Sequence, residues 1–223
     1  MQKETYFTAA SIRTTSLDIL ENLQEYRRRR SHIHLRPEAS ALLVLDVQTY
    51  FFDEASHAYI PSSLAILPRI VNLVHRYTTC GLPVIFTRHL NTTQDAKLMA
   101  IWWKDLISPE SLSGQLVPEL DTSGGVMLTK SQYDAFFETP LEEILRAKRI
   151  RQVVICGVMT HLCCETTARS AFMRGFEVFF TVDGTATYTL AFHQAALLNL
   201  AHGFAVPMLV EEVLAAFQRE DAN

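Results

Sequence analysis

The chain has 223 residues, of which 48% are hydrophobic and 20% charged, a balance typical of one globular core. The formal net charge of −4 provides no basic surface for a phosphate backbone, so nucleic acid is not an expected partner. No apolar run approaches the roughly 20 residues that cross a bilayer, and the first residues lack the apolar segment of a secretory signal. The four cysteines are not spaced as a disulfide framework. We therefore expect a cytoplasmic protein without a membrane partner.

Residues 1–37 are predicted to form a helical extension, followed by the main domain at residues 38–223. The segment "SLDILENLQE" has helical periodicity and places Ile19 and Leu20 on one face. The arginines at residues 27–30 suit the C-terminal end of a helix, where the dipole favours positive charge, although a phosphate-binding patch is an alternative. We expect the apolar face of this helix to pack on a neighbouring subunit.

Short apolar runs alternate with segments of helical periodicity through the rest of the chain. Strands are predicted at residues 41–46, 83–89, 126–130, 152–158, 177–183 and 204–208. Helices are predicted at residues 64–79, 140–147, 160–174 and 191–201, with Gly81, Gly175 and Gly203 as left-handed C-caps. Because the strands are apolar throughout, both faces should be covered by helices. The pattern therefore predicts a single-domain, doubly wound α/β fold with a mostly parallel six-stranded sheet, order 3-2-1-4-5-6.

Polar residues follow several of these strands at the point where each strand ends. Asp46 ends the first strand and Gln48 follows it, His89 ends the second, Lys130 ends the third, and Cys163 lies in the first helical turn after the fourth. Ligands of doubly wound sheets bind beyond the carboxyl ends of the strands, where the winding reverses. An acid, an ammonium and a thiol are therefore predicted to converge in one cleft.

These three groups suit nucleophilic catalysis by a cysteine. The thiolate is the nucleophile, and both a helix N-terminus and Lys130 would lower the pKa of the Cys163 thiol, while Asp46 could accept the thiol proton. Each residue also has a structural interpretation: Cys163 and Cys164 as buried apolar residues, Asp46 as a loop cap, and Lys130 as a surface lysine. The residues by themselves leave both interpretations open.

Three motifs in the same order resemble the isochorismatase-like hydrolase superfamily, which includes nicotinamidases, N-carbamoylsarcosine amidases and isochorismatases. "LLVLDVQTYF" resembles its D-x-Q motif, "LTKSQYDAFFETPL" its lysine motif, and "ICGVMTHLCCETTARSAFMRGFEV" its G-V-x-T-x-x-C nucleophile turn. The resemblance implies a catalytic triad of Asp46, Lys130 and Cys163, with Cys163 and not Cys164 as the nucleophile.

The same resemblance implies further features of the site and of the assembly. A cis peptide between Val158 and Met159 would aim the oxyanion-hole donors, which are the backbone amides of Met159 and Cys163. By analogy with the family, the protein is expected to be a homodimer or homotetramer.

One residue divides the superfamily by chemistry. Isochorismatases, which cleave a vinyl ether, carry glycine where Cys163 stands, although "KSQYDAFFETPL" and "TTARSAFMRG" are similar to that branch. A vinyl ether offers no electrophilic carbonyl to sulfur. We therefore expect a cysteine hydrolase that cleaves the C–N bond of a small amide or ureide through a thioester. The alternatives are hydrolysis of isochorismate to pyruvate and a dihydroxy-cyclohexadiene carboxylate, and a non-enzymatic relative that serves only as a partner module.

No metal or other cofactor is expected. Nicotinamidases of this superfamily bind a metal through an Asp-x-His pair, whereas Asp53 and His57 lack that spacing, and His161 is interpreted as a pocket or packing residue. Aromatic residues cluster in the segments that should cover the site, which is typical of a small-molecule pocket. The residues expected to contact the small-molecule substrate are Gln48, Phe52, His89, Trp103, Tyr133 and Phe136.

Overall fold

The computed structural model describes residues 2–103 and 105–218. Within those ranges, six parallel strands form one open sheet in the order β3-β2-β1-β4-β5-β6. The predicted fold class and strand order are therefore confirmed. The strands are β1 (Ser40–Leu45), β2 (Val84–His89), β3 (Val126–Lys130), β4 (Gln152–Val158), β5 (Glu177–Ala186) and β6 (Val206–Met208).

Helices flank this sheet; two precede β1, one follows β6, and the others lie in the connections between the strands. They are α1 (Ile12–Asn22), α2 (Gln24–Arg29), α3 (Thr49–Phe52), α4 (Ser63–Thr79), α5 (Met99–Trp102), α6 (Leu141–Ala147), α7 (Glu165–Met173), α8 (Leu190–Gly203) and α9 (Val210–Gln218). The helix predicted after β4 begins instead as a π-helical turn, Thr160–Cys164, which leads into α7. In the described ranges, no helix is both long enough and apolar enough to cross a membrane.

The two central strands explain why their sequences are apolar without alternation. Every residue of β1 and of β4 is buried, because neighbouring strands and covering helices leave neither face in contact with water. Gly157 of β4 has φ of 117°, and a Cβ atom there would lie 2.0 Å from the carbonyl oxygen of Leu45. Glycine at this position therefore allows β4 to approach β1 directly beside Asp46.

The glycine caps are only partly as expected. Gly81 and Gly175 have φ of 67° and 80° and follow their helices in the left-handed conformation. The prediction for Gly203 is wrong, because this residue belongs to α8 and the next residue, Phe204, has φ of −140°. The Phe204 amide donates to the carbonyl of Leu200 at 2.8 Å, so the helical hydrogen bonding continues through the glycine.

The N-terminal helix packs on its own chain. Ile19 and Leu20 are buried in the core cluster, and α1 lies against β5. Ile19 and Leu20 are therefore covered by the same chain and are not available to a neighbouring subunit, contrary to the expectation, whereas Leu17 of the same helix is 46% exposed. The arginine run is also partly occupied, since Arg27 Nη2 lies 2.6 Å from Glu212 Oε1 of α9. The domain boundary at residue 37 stays a prediction.

Candidate active site

Asp46 comes directly after β1, where the chain takes an unusual backbone conformation. Its φ is 53°, in the left-handed region that aspartate tolerates better than most residues. The carboxylate is completely buried, and Oδ1 accepts a hydrogen bond of 2.6 Å from the Thr87 hydroxyl on the neighbouring strand β2. Oδ2 makes no hydrogen bond of ordinary geometry within the described chain. Oδ1 is therefore fixed by Thr87, whereas Oδ2 faces the ammonium of Lys130 at 2.8 Å.

Lys130, the last residue of β3, connects the predicted triad. Its Nζ atom lies 2.8 Å from Asp46 Oδ2 and 3.3 Å from Cys163 Sγ. The same ammonium donates to the carbonyl of Gln132 at 3.0 Å and lies 3.3 Å from His89 Nδ1. The structure thus brings the carboxylate, the ammonium and the thiol into one buried cluster, at the shared edge where their strands end.

The turn after β4 decides which of the two adjacent cysteines faces this cluster. The Val158–Met159 peptide is cis, and the chain then enters the π-helical turn, in which the Cys164 amide donates to the Met159 carbonyl at 3.2 Å. Cys163 lines the cavity, whereas Cys164 is completely buried in the hydrophobic core. The geometry therefore separates the roles of the pair: Cys163 faces the site and Cys164 fills space.

The protonation of the cluster differs from the sequence-based expectation. Burial and the neighbouring Asp46 raise the pKa of the Cys163 thiol to about 12, although Lys130 acts in the opposite direction. Burial would also raise the pKa of Asp46, but the Lys130 ammonium holds it below its usual value. Lys130 lowers the pKa of the thiol as expected, but burial and Asp46 together outweigh it. These directions favour a neutral thiol beside a carboxylate–ammonium pair in the resting site.

His89 is a neutral neighbour of the ammonium. Burial and the Lys130 charge lower the pKa of His89 to about 4. Its Nε2 atom lies 2.8 Å from Asn91 Oδ1, an acceptor, so we assign the ring proton to Nε2 and the lone pair to Nδ1, which faces Lys130. The imidazole therefore helps to orient the ammonium without adding a charge.

The same cluster is the one group in the described ranges that resembles a metal site. The ligand atoms of Asp46, His89 and Cys163 lie within 4.8 Å of one another. The Lys130 ammonium contacts all three of these side chains, so the cationic position is already taken by the chain itself. A divalent ion there would meet a buried positive charge, and these residues do not fit a resident metal.

A cavity of about 280 Å³ opens onto Cys163. Three of the predicted substrate contacts line it: His89, Trp103 and Tyr133. The indole Nε1–H of Trp103 donates to the Tyr133 hydroxyl at 2.8 Å, which joins the segment after β2 to the segment after β3 over the site. The lining is mainly aromatic and aliphatic, which suits a small ring or a compact acyl group.

Three other predicted contacts lie outside the cavity lining. The Gln48 side chain donates to the carbonyls of His89 and Gly114 and accepts from the His89 amide, so its polar atoms serve the backbone. Phe52 and Phe136 are buried in the hydrophobic core. The predictions of substrate contact for Gln48, Phe52 and Phe136 are therefore wrong, because the first side chain is hydrogen-bonded to the backbone and the other two pack in the core.

Other lining residues were not predicted as substrate contacts. Phe51 faces the cavity instead of its neighbour Phe52, and Lys3 and Tyr188 reach it from distant parts of the chain. His57 also lines it, whereas His161 stacks on a phenylalanine of α8, as expected for a packing residue. No pattern in the sequence marks Lys3 or Tyr188, because only the folded chain brings them to the site.

Comparison with known proteins assigns the chain to a family. Residues 40–212 match the isochorismatase domain family. The chain belongs to this family. It is 38% identical over 173 residues to nicotinamidase 3 of Arabidopsis thaliana, which covers 74% of this chain and 82% of the relative. It is 31% identical over 193 residues to isochorismatase of Bacillus subtilis, which covers 84% of this chain and 61% of that enzyme.

A solved structure supports the same fold. The cysteine hydrolase from Pseudomonas syringae pv. phaseolicola 1448A has a TM-score of 0.74 at 23% identity, covering 83% of this chain and 95% of that one. This isochorismatase-family protein is a hydrolase, and its relatives include both a nicotinamidase and an isochorismatase.

Proposed function

We propose that this hydrolase is a cysteine amidase that cleaves the C–N bond of a small amide or ureide. The observation that carries the proposal is the position of Cys163 Sγ, which lines the cavity and lies 3.3 Å from the ammonium of Lys130. A thiol placed there serves covalent catalysis on a carbonyl carbon. The 38% identity to a nicotinamidase supports the same chemistry.

In the first half-reaction, the sulfur attacks the carbonyl carbon while the thiol proton moves to Asp46. Because the pKa of the Cys163 thiol is raised and that of Asp46 is lowered, this transfer is unfavourable before substrate binds. The proton therefore leaves as the C–S bond forms, and Lys130 stabilises the charge on sulfur during the step. The backbone amides of Met159 and Cys163 would hold the oxyanion.

The tetrahedral adduct then collapses to a thioester. Asp46 returns its proton to the departing nitrogen, the C–N bond breaks, and ammonia or an amine leaves. In the second half-reaction, water gives a proton to Asp46 and attacks the thioester carbonyl. The C–S bond breaks, the sulfur recovers the proton from Asp46, and the carboxylic acid is released. The same carboxylate thus acts once as acceptor and once as donor in each half-reaction.

The test is ammonia release from a panel of nicotinamide, N-carbamoyl amino acids and ureidoacrylate, together with mass spectrometry of acid-quenched enzyme. We expect the wild type to turn over at least one amide and to carry an acyl adduct on Cys163. The Cys163→Ala variant should lose both, and Cys80→Ala, which changes an exposed cysteine, should lose neither. Full amidase activity in Cys163→Ala would contradict the proposal.

Isochorismate hydrolysis is the second candidate, because the Bacillus subtilis isochorismatase is 31% identical to the chain. In that reaction a carboxylic acid protonates the enol ether and water completes the cleavage, so Asp46 would act without the sulfur. The Cys163→Ala variant separates the two functions. Pyruvate release from isochorismate should survive this substitution, whereas ammonia release should not.

A further inference from the structure

Lys3 lies outside the matched family domain, and yet it lines the cavity that contains Cys163. Its Nζ atom donates to the backbone carbonyls of His57 at 2.5 Å and Tyr59 at 2.7 Å. The ammonium also lies 4.5 Å from the centre of the Tyr188 ring. A positive charge from the first residues of the chain is therefore part of the wall of the site.

Residues 3–7, which we name the N-terminal strap, are held to the fold at several points. The Glu4 amide donates to the Tyr188 carbonyl at 2.8 Å. The Thr187 amide donates to the Tyr6 hydroxyl at 2.9 Å, and the Tyr6 amide donates to the Ser62 hydroxyl at 3.1 Å. The strap thus joins the end of β5 to the start of α4. Its position follows from a set of backbone contacts, and the lysine is fixed with it.

The charge of Lys3 has no acidic counterpart in the described ranges. Two of its three donor hydrogens point at backbone carbonyls, and no carboxylate contacts the ammonium. Asp105 also lines the cavity, but the Tyr50 hydroxyl and His57 Nε2 both lie 3.0 Å from its Oδ1 atom. The remaining neighbour is the Tyr188 ring, and a partly buried cation without a carboxylate partner favours an anionic ligand group.

We propose that Lys3 binds a carboxylate on the substrate, at the end of the molecule remote from the bond that is cleaved. The inference rests on the proposed amidase function, because it assumes that Cys163 attacks in the same cavity. It narrows the substrate class to amides or ureides that carry an acidic group. Lys3 acts on recognition and takes no part in the bond-breaking steps.

Matched substrates test this role: benzamide, 3-carbamoylbenzoate and 4-carbamoylbenzoate, which share the ring and the amide. The variants are Lys3→Met, Lys3→Arg and, as a control lysine outside the cavity lining, Lys97→Met. Loss of one charge-assisted hydrogen bond predicts a KM roughly 10- to 100-fold higher in Lys3→Met for a carbamoylbenzoate. We expect kcat and the kinetics with benzamide to stay near the wild-type values, and Lys3→Arg to retain most of the preference.

Equal losses with benzamide and the carbamoylbenzoates in Lys3→Met would overturn the proposal, because Lys3 would then only fasten the strap. Failure of the amidase function has a different signature: the wild type would release no ammonia from any amide. In that case, calorimetric binding of benzoate and benzamide decides the role of Lys3. Weaker binding of benzoate alone in Lys3→Met supports it, and a wild type that does not prefer benzoate to benzamide overturns it.

Discussion

Lys130 Nζ lies 2.8 Å from Asp46 Oδ2, and both side chains are completely removed from solvent. Desolvation of two charges is costly, and their attraction offsets that cost only while both partners are present. The cluster therefore holds the carboxylate charged inside a hydrophobic core. The ion pair keeps Asp46 ionised, so that it can accept a proton, and its two charges act in opposite directions on the pKa of the Cys163 thiol.

Removal of the ammonium should destabilise the fold as well as the activity. We expect Lys130→Met to lower the free energy of unfolding by about 3–5 kcal/mol at neutral pH, because Asp46 is left buried and unpaired. Urea denaturation measures this loss. The double variant Asp46→Asn/Lys130→Met removes both charges and should recover part of it. Wild-type stability in Lys130→Met would contradict the pairing.

The pH dependence of that variant should have the opposite sign to that of the wild type. In the wild type the pKa of Asp46 lies below its usual value, so its stabilisation is present above the unfolded-state pKa, about 3.9, and is lost as the pH falls through the folded-state pKa. In Lys130→Met, burial without the ammonium raises the pKa of Asp46. The stability of that variant should therefore increase as the pH is lowered toward 5, which denaturation over a pH series would show.

Asp46→Asn should change the reactivity of the thiol and the turnover in opposite directions. The carboxylate is one cause of the raised pKa of Cys163, so its removal leaves Lys130 as the dominant charge beside the sulfur and lowers that pKa. Alkylation by iodoacetamide near neutral pH should accelerate, while turnover should fall roughly 10²- to 10⁴-fold because the proton shuttle is lost. Intact-mass kinetics in a Cys80→Ser background, which removes the exposed cysteine, measures the alkylation. Slower alkylation in Asp46→Asn would contradict this account.

The positions of Asp46, Lys130 and Cys163 were predictable because each lies at or just beyond the carboxyl end of a predicted strand. Parallel strands present their carboxyl ends at one edge, so the sequence order of strand and polar residue is enough to place the three together. The protonation state was not predictable in the same way. The helix N-terminus and the lysine are visible in the sequence, whereas the burial of the thiol beside a carboxylate depends on packing.

Substrate contacts were harder to predict because they depend on short irregular segments. In the four-residue helix α3, successive side chains point about 100° apart, so the cavity receives Phe51 while Phe52 enters the core. The run of aromatic residues in the sequence does not indicate which face of that helix is turned toward the cavity. Lys3 is a more extreme case, because its place in the site depends on contacts with residues more than fifty positions away.

Gln48 should behave as a structural residue. Its amide satisfies backbone groups of His89 and Gly114, so Gln48→Ala leaves buried polar atoms unpaired and should cost about 1–3 kcal/mol of unfolding free energy. The ranking of kcat/KM across an amide panel should stay unchanged in the folded variant. Thermal unfolding and substrate profiling together test this. An altered ranking of kcat/KM at unchanged stability would indicate that Gln48 contacts the substrate after all.

The fluorescence of Trp103 should report ligand binding in the cavity. The chain has two tryptophans; Trp102 is 79% exposed, whereas Trp103 lines the cavity and donates to Tyr133. In Trp102→Phe, which we expect to keep wild-type activity, all indole emission comes from Trp103, so binding of an aromatic amide should quench or shift it. Tyr133→Phe leaves the indole N–H without its acceptor and should shift the emission and raise KM roughly 2- to 10-fold. A ligand-induced signal that persists in Trp103→Phe and vanishes in Trp102→Phe would show that the ligand lies elsewhere.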